Sequence, residues 1–223
     1  MTSLDDAIER PSLREEAMRR IRAAIIYGEI EAGRIHSAPA LAARMGVSVT
    51  PVREALLELT NRGMVIQVRN RGFRVVGQTA EDVEAVLELR ELLEVPMTAS
   101  LAGRLGAREL AGFRELVDAG IEAARRGDLG EFLDLDRRFH LGLLRRAGNP
   151  RVADVVDQAL DQLRLVAFAK AAGRTSLVPV AEGHGTIVDA IAGADRTAVE
   201  RAVREHLALT RTSSPQAQEQ AAA

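Results

Sequence analysis

Cysteine is absent from this 223-residue chain, and aromatic residues make up only 3% of it. Without cysteine there can be no disulfide framework, thiolate metal site or cysteine nucleophile. Because aromatic side chains are so scarce, Leu, Val, Ile and Ala must fill the hydrophobic cores, and such a composition favours helices. The chain is therefore expected to be mainly α-helical.

Long apolar segments are also absent. The sequence has no stretch of about 18 consecutive apolar residues, which is roughly the length that a membrane-spanning helix needs. The first residues, MTSLDDAIERPS, are acidic and hold no apolar run of signal-peptide length. We therefore expect a cytoplasmic protein without a membrane partner.

Positive charge is unevenly placed along the chain. The net charge is −2, yet residues 1–78 hold 12 Arg against 9 acidic residues, while residues 79–223 hold 18 Lys and Arg against 23 acidic residues. Within residues 34–78, seven arginines face two glutamates. A chain of this length normally forms two domains, and the basic excess indicates that the first domain binds a polyanion.

The first 78 residues show the pattern of three helices followed by a β-hairpin. The helical spacing of apolar residues predicts helices over 12–27, 38–46 and 50–61. Two short runs, MVIQV and FRVV, then flank the tip RNRG and predict a hairpin. This order of elements is typical of a winged helix-turn-helix.

Beyond Thr79 the pattern is helical only. Turn signals separate six predicted helices, at 80–105, 107–126, 129–147, 150–171, 178–192 and 195–211. The predicted fold is mainly α, with a winged helix-turn-helix at 12–78 and an all-α helical bundle at 79–211. The polar ends, 1–11 and 212–223, are expected to be disordered.

The third predicted helix has one side for burial and one exposed end. Val52, Leu56 and Leu59 share an apolar face that would hold the helix to the domain. Its N-terminal amides and partial positive dipole favour a phosphate, and Thr50 and Arg53 can enter a major groove. We expect the hairpin tip to reach the minor groove or the DNA backbone through Arg69, Asn70, Arg71 and Gly72.

The stretch GVSVTPVREALLELTNRGMVIQVRNRGFRVV resembles the DNA-binding signature of GntR-type bacterial transcription regulators, and the likeness extends over about 13–76. This resemblance implies that Ser48, Thr50 and Arg53 contact double-stranded operator DNA. It also implies that Gly72 lets the wing tip approach the DNA backbone closely. The full candidate DNA-binding set is Ser37, Arg44, Ser48, Thr50, Arg53, Asn70, Arg71 and Gly72.

Three of the four histidines, His140, His184 and His206, fall in the helical part. Asp136 lies one turn before His140 on the same helical face, a spacing that a divalent ion can bridge. One carboxylate and three imidazoles from three helices would suit Zn²⁺, Ni²⁺ or a similar ion. The spacing leaves an ordinary alternative open, in which these histidines are buried, hydrogen-bonded core residues.

The helical part is similar to the FCD domain, the effector domain of the FadR-like branch, in the order of DLDRRFH, AGN, a histidine before IVDAI and a histidine in the last helix. The resemblance implies that Arg90, at a position where the family often has arginine, pairs with a small carboxylate effector. The alternative for Arg90 is an exposed pair with Glu94 or Glu91 on its own helix. The resemblance also implies that the effector is held with the help of a divalent metal on Asp136, His140, His184 and His206.

Together these features predict a regulator that binds a palindromic operator as a homodimer, because one recognition helix contacts only a few base pairs. Repression relieved by a small organic acid is the expected mode, with activation left open. Two other classes of protein remain at this point. One is a helical metallohydrolase in which the Asp and His side chains activate water, and the other is a scaffold whose bundle binds only itself.

Overall fold

The computed structural model describes residues 12–26, 28–77, 79–171 and 176–212. The chain divides into two compact units, Met1–Gly77 and Gln78–Ala223. The ends predicted to be disordered, 1–11 and 212–223, lie outside the described residues, apart from Thr212, which closes the last helix. None of the helices formed by the described residues is long and apolar enough to cross a membrane.

The first unit is a three-helix domain with a small antiparallel sheet. In chain order its elements are α1 (Leu13–Ile26), β1 (Ile35–His36), α2 (Ala38–Met45), α3 (Val49–Asn61), β2 (Val65–Val68) and β3 (Gly72–Val75). The strand order is β1-β3-β2, so the predicted hairpin is confirmed and gains a third strand. With two residues, β1 is too short to produce an alternating pattern in the sequence.

Short-range signals explain where α2 ends and α3 begins. The Ser37 hydroxyl accepts a hydrogen bond from the backbone N–H of Ala40 at 3.3 Å and caps the start of α2. Gly46 ends α2 at φ +67°, a left-handed conformation that glycine adopts without steric cost. α3 follows after two residues and buries Val52 and Leu59 completely in the domain core. This turn leaves the N-terminal end of α3 at the surface.

The second unit is helical throughout its described residues. Its helices are α4 (Ala80–Ala99), α5 (Ala107–Arg126), α6 (Leu129–Arg146), α7 (Pro150–Ala171), α8 (Val178–Ala192) and α9 (Arg196–Thr212). The predicted end of the first helix is wrong, because α4 stops at Ala99 and residues 100–105 form turns. Gly103 adopts φ +67° and donates its N–H to the carbonyl of Ile191 at 2.9 Å. That N–H is thereby taken from the helical hydrogen-bond pattern and ties the turn to α8.

The core of the second unit lies between its helices. Phe113 of α5 and Phe139 of α6 meet edge to face, with ring centroids 5.8 Å apart. Buried aliphatic side chains from α4, α8 and α9 pack into the same core, among them Val95, Ile187 and Val199. Side chains of different helices that point into this core are therefore close to one another.

At Gly72 both the backbone conformation and a close contact require glycine. It opens β3 at φ +130°, and a Cβ atom there would clash with the carbonyl oxygen of His36 on β1. We expect Gly72→Ala to lower the free energy of unfolding of the first unit by about 1–3 kcal/mol, as strained backbone positions do. Urea denaturation of the full chain measures this change.

The matched control for this substitution is Gly77→Ala. A Cβ atom at Gly77 meets no other atom within 4 Å, so its loss of flexibility is not accompanied by a clash. If both variants lost the same stability, the contact between Gly72 and β1 would not be the cause.

Candidate functional site

The exposed end of α3 carries three of the predicted DNA-contacting residues. Ser48, Thr50 and Arg53 are exposed, and Ser48 precedes the helix in an extended conformation with φ −68° and ψ 161°. The Ser48 side chain makes no capping hydrogen bond. Its hydroxyl and the first amides of the helix are therefore available to an anion, as at other helix N-termini that bind phosphate.

The opposite side of α3 is buried, as the sequence predicted. Val52, Leu56 and Leu59 are each at most 2% exposed. Thr50 and Arg53 are three residues apart and so lie on one face of the helix, away from this core. The buried side fixes the orientation of α3, and the exposed side is left for a partner.

The hairpin tip is a second exposed basic element of the first unit. Arg69, Asn70 and Arg71 are exposed between β2 and β3, and Asn70 has φ +59°, a conformation that asparagine tolerates better than most residues. The structure gives Gly72 an internal reason to be glycine, since its backbone lies against that of His36. Close approach to DNA is not needed to explain this glycine.

The remaining two residues of the predicted DNA-binding set lie at the ends of α2. Ser37 is half-buried and its hydroxyl is engaged in capping the helix. Arg44 is exposed in the last turn of α2, where a positive charge also suits the helix C-terminus. Ser37 thus has a structural role in α2. The side chain of Arg44 is accessible to a binding partner.

In the second unit the structure brings the four predicted metal-binding residues together. Asp136 and His140 lie one turn apart on α6, His184 lies on α8 and His206 lies on α9. The Nε2 atom of His140 is 3.2 Å from the Nε2 atoms of both other histidines. The Oδ1 atom of Asp136 is 3.5 Å from Nε2 of His140 and 3.3 Å from Nε2 of His184. All four donor atoms lie within 4.8 Å of one another.

The four separations of 3.2–3.5 Å fit a cation at the centre of the donor set. Zinc bonds of about 2.0–2.1 Å in a tetrahedral arrangement place neighbouring ligand atoms about 3.3–3.4 Å apart. The three imidazoles are only 1–3% exposed, and a neutral imidazole presents one free electron pair. Electron pairs that converge in this way repel one another unless a proton or a metal ion lies between them. The donor set therefore has the chemistry and the spacing of a divalent transition-metal site.

Glu94 of α4 belongs to this centre, although it is not among the residues that the sequence predicts to bind a metal. Its Oε2 atom lies 2.6 Å from Nδ1 of His140, and its Oε1 atom lies 2.5 Å from Nε of Arg90. Glu94 and Arg90 are both 2% exposed. The available signal in the sequence was the i, i+4 spacing of Arg90 and Glu94, which is common on exposed helices and does not indicate a site.

Arg90 pairs with Glu94, as one of its two predicted roles required, but the prediction that this pair is exposed is wrong. α4 packs against α9, α7 and α6, and the Arg90 side chain is buried. The Nη2 atom of Arg90 is buried and has no hydrogen-bond partner among the described residues. Since an unpaired buried donor costs free energy, an anionic ligand group that reached this atom would gain a strong hydrogen bond.

Neighbouring charges control protonation in the centre. Burial opposes the charged form of His140, but the adjacent carboxylates outweigh this effect and raise the pKa of His140 to about 9. Burial alone would raise the pKa of Glu94, yet the charges of Arg90 and His140 lower it to about 2. Burial also lowers the pKa of His184 and, more strongly, that of His206. Without metal at neutral pH, the centre therefore holds one protonated and two neutral imidazoles.

Family models match both units of the chain. The model described as bacterial regulatory proteins, gntR family, matches residues 13–75, which include α3 and the hairpin. The FCD domain model matches residues 85–209, which include the complete Asp and His donor set.

Individual relatives agree with these models. The "Uncharacterized HTH-type transcriptional regulator in unstable DNA locus" of Streptomyces ambofaciens is 33% identical over 87% of this chain and 81% of its own length. The "Probable D-xylose utilization operon transcriptional repressor" of Paenarthrobacter nicotinovorans is 31% identical over 91% of each chain. The solved structure of Escherichia coli McbR/YncC has the same fold, with a TM-score of 0.80 and 21% identity over 90% of this chain and 95% of that one.

The similarity covers both units, so it applies to the chain as a whole and not to one module. The relatives are transcription regulators and not enzymes, which decides against the metallohydrolase alternative. The chain therefore belongs to the GntR family of bacterial transcription regulators and consists of a winged helix-turn-helix DNA-binding unit followed by an FCD domain.

Proposed function

We propose that this protein is a repressor that binds a palindromic operator as a homodimer and is released by a small carboxylate effector bound at a metal centre in its second unit. The observation that carries the proposal is the buried donor set of the FCD domain in the same chain as an exposed recognition helix. The relative from Paenarthrobacter is named a repressor, which supports this direction of regulation. We place its action in the cytoplasm, where operator DNA lies.

The DNA side of the proposal depends on α3 and the hairpin. Arg53 is exposed on the same face as Thr50, and an arginine in a major groove can bind O6 and N7 of guanine through two hydrogen bonds. Ser48 and the basic tip at 69–71 would contact phosphates and set the position of the unit on the duplex. Since one such helix contacts few base pairs, two copies on symmetric half-sites are needed for useful specificity.

The effector side of the proposal depends on the buried centre. Asp136, His140, His184 and His206 would hold Zn²⁺ or Ni²⁺, and the ion would supply positive charge for the effector carboxylate. Arg90 is the second proposed contact, because its Nη2 atom is buried without a partner among the described residues. Release from DNA requires that the effector bind the DNA-free protein more tightly, so effector and operator weaken each other's binding by the same factor.

Replacing Arg53 with alanine should weaken operator binding by about 1–3 kcal/mol, because it removes a groove contact and leaves the buried face of α3 intact. Fluorescence anisotropy on an operator selected from random DNA measures the affinity. At saturation, we expect two chains to be bound to each duplex. Arg125→Ala is the control, since Arg125 is exposed in the second unit and pairs with Glu122 at 2.7 Å. Wild-type affinity of the Arg53 variant would remove this residue from the DNA contacts.

Zinc binding should release about one proton per chain at pH 7, since the ion must displace the proton that His140 holds with its pKa of about 9. The apparent zinc affinity should therefore rise by about tenfold per pH unit from about pH 7 and level off above the pKa of His140. Calorimetric titrations in buffers of different ionisation enthalpy count the released protons. An affinity that stays constant from pH 7 to about pH 8.5 would contradict displacement of a proton from His140.

His184→Ala removes one of three imidazole ligands and should lower the bound metal well below one equivalent per chain. Because an ion bound only to the folded state stabilises it, a chelator should lower the melting temperature of the wild type and barely change that of the variant. The effector should also fail to release operator DNA from the variant.

The control for this substitution is His36→Ala, which changes the histidine outside the donor set. Elemental analysis of untagged protein gives the metal content of both variants. If the two variants had equal metal content after zinc or nickel had been supplied, His184 would be an ordinary core residue and not a metal ligand.

A further inference from the structure

A buried row of charged and hydrogen-bonded groups leads from α4 into the metal centre. The Nε atom of Arg90 donates to Oε1 of Glu94 at 2.5 Å, and the Nδ1 atom of His140 donates to Oε2 of Glu94 at 2.6 Å. On the other side of its ring, His140 directs Nε2 toward the other three donors. Arg90, Glu94 and His140 are only 2–3% exposed, so the row is enclosed in the helical core.

Both carboxylate oxygens of Glu94 are engaged by neighbours, one by Arg90 and one by His140. Glu94 is therefore not one of the converging donor groups and acts on the centre through His140. An imidazole ring can hold its proton on either nitrogen, and a carboxylate at Nδ1 keeps the proton there. The Nε2 atom is then free to bind an ion, and the ring is held in one orientation.

Arg90 holds the carboxylate of Glu94 in place. The two residues are one turn apart on α4, so both partners of this ion pair belong to the same helix. The hydrogen bond that Nδ1 of His140 donates to Glu94 instead joins α6 to α4. A buried carboxylate with a single neutral partner would be costly, and the guanidinium offsets its charge. The position of α4 is in this way connected to the orientation of a ligand on α6.

We propose that Glu94 is the positioning residue of this metal centre: held by Arg90, its carboxylate fixes the ring of His140 so that Nε2 faces the ion. This inference rests on the metal site of the proposed function and extends it to a residue outside the donor set. It means that metal affinity depends on the packing of α4 as well as on the four ligands themselves.

The test compares two double variants, because a single substitution at Glu94 would leave Arg90 as an unpaired buried charge. R90M/E94Q lacks both charges but keeps an amide oxygen that can accept the hydrogen bond from His140, whereas R90M/E94A keeps no acceptor. Zinc affinity is measured on the full chain without effector, by competition with a chromogenic chelator. We expect R90M/E94A to bind zinc about 10- to 100-fold more weakly than R90M/E94Q, as loss of a hydrogen bond behind a metal ligand commonly does.

A second measurement needs no metal. In long-range ¹H–¹⁵N NMR spectra of the metal-free proteins, the proton on Nδ1 of His140 should be protected from solvent exchange in the wild type and in R90M/E94Q. It should lose that protection in R90M/E94A, because the side chain at position 94 then has no oxygen to accept the hydrogen bond. A structural defect common to both double variants would move both spectra alike.

Equal zinc affinities in the two double variants would overturn the positioning role of Glu94. Absence of the protected proton from the wild type, or its persistence in R90M/E94A, would overturn it as well. If the wild type bound no zinc or nickel, the metal part of the proposed function would fail, and the NMR comparison alone would then decide what Glu94 does to His140.

Discussion

Several ionisable side chains are buried at one point of the second unit, and the arrangement of its helices depends on keeping them in contact. α6 supplies Asp136 and His140, α8 and α9 supply His184 and His206, and α4 places Glu94 behind His140. Any of these groups would be costly to bury alone. Buried together they compensate one another, so the four helices are limited to positions that preserve these short distances.

The first unit meets the opposite requirement, because the groups proposed to contact DNA have to stay exposed. α3 satisfies it by burying one side completely, with Val52 and Leu59 at 0% exposure, while Thr50 and Arg53 remain exposed. The hairpin depends on Gly72 for the close approach of β3 to β1. In α3 and in the hairpin, tightly packed residues fix the position of the residues that stay exposed.

Most of the fold could be predicted from the sequence because helix and turn signals act over a few residues. The predicted bounds of α5, α7 and α8 agree with the structure, since a glycine or proline lies within two residues of each of their ends and apolar residues recur at helical spacing between them. The end of α4 was predicted wrongly because the turn after it is held by a hydrogen bond from Gly103 to Ile191, far along the chain. β1 was missed because its two residues become a strand through pairing with β3.

In the candidate site, too, some features could be predicted from the sequence and others depend on tertiary contacts. The spacing of Asp136 and His140 and the resemblance to an FCD domain were sufficient to select the four residues that the structure brings together, since residues one turn apart share a helix face whatever the helix packs against. The tertiary structure decided that Arg90 is buried and that Glu94 bonds to His140. Helical periodicity specifies which residues share a helix face. Which residues of other helices contact that face depends on packing between segments that are distant in the sequence.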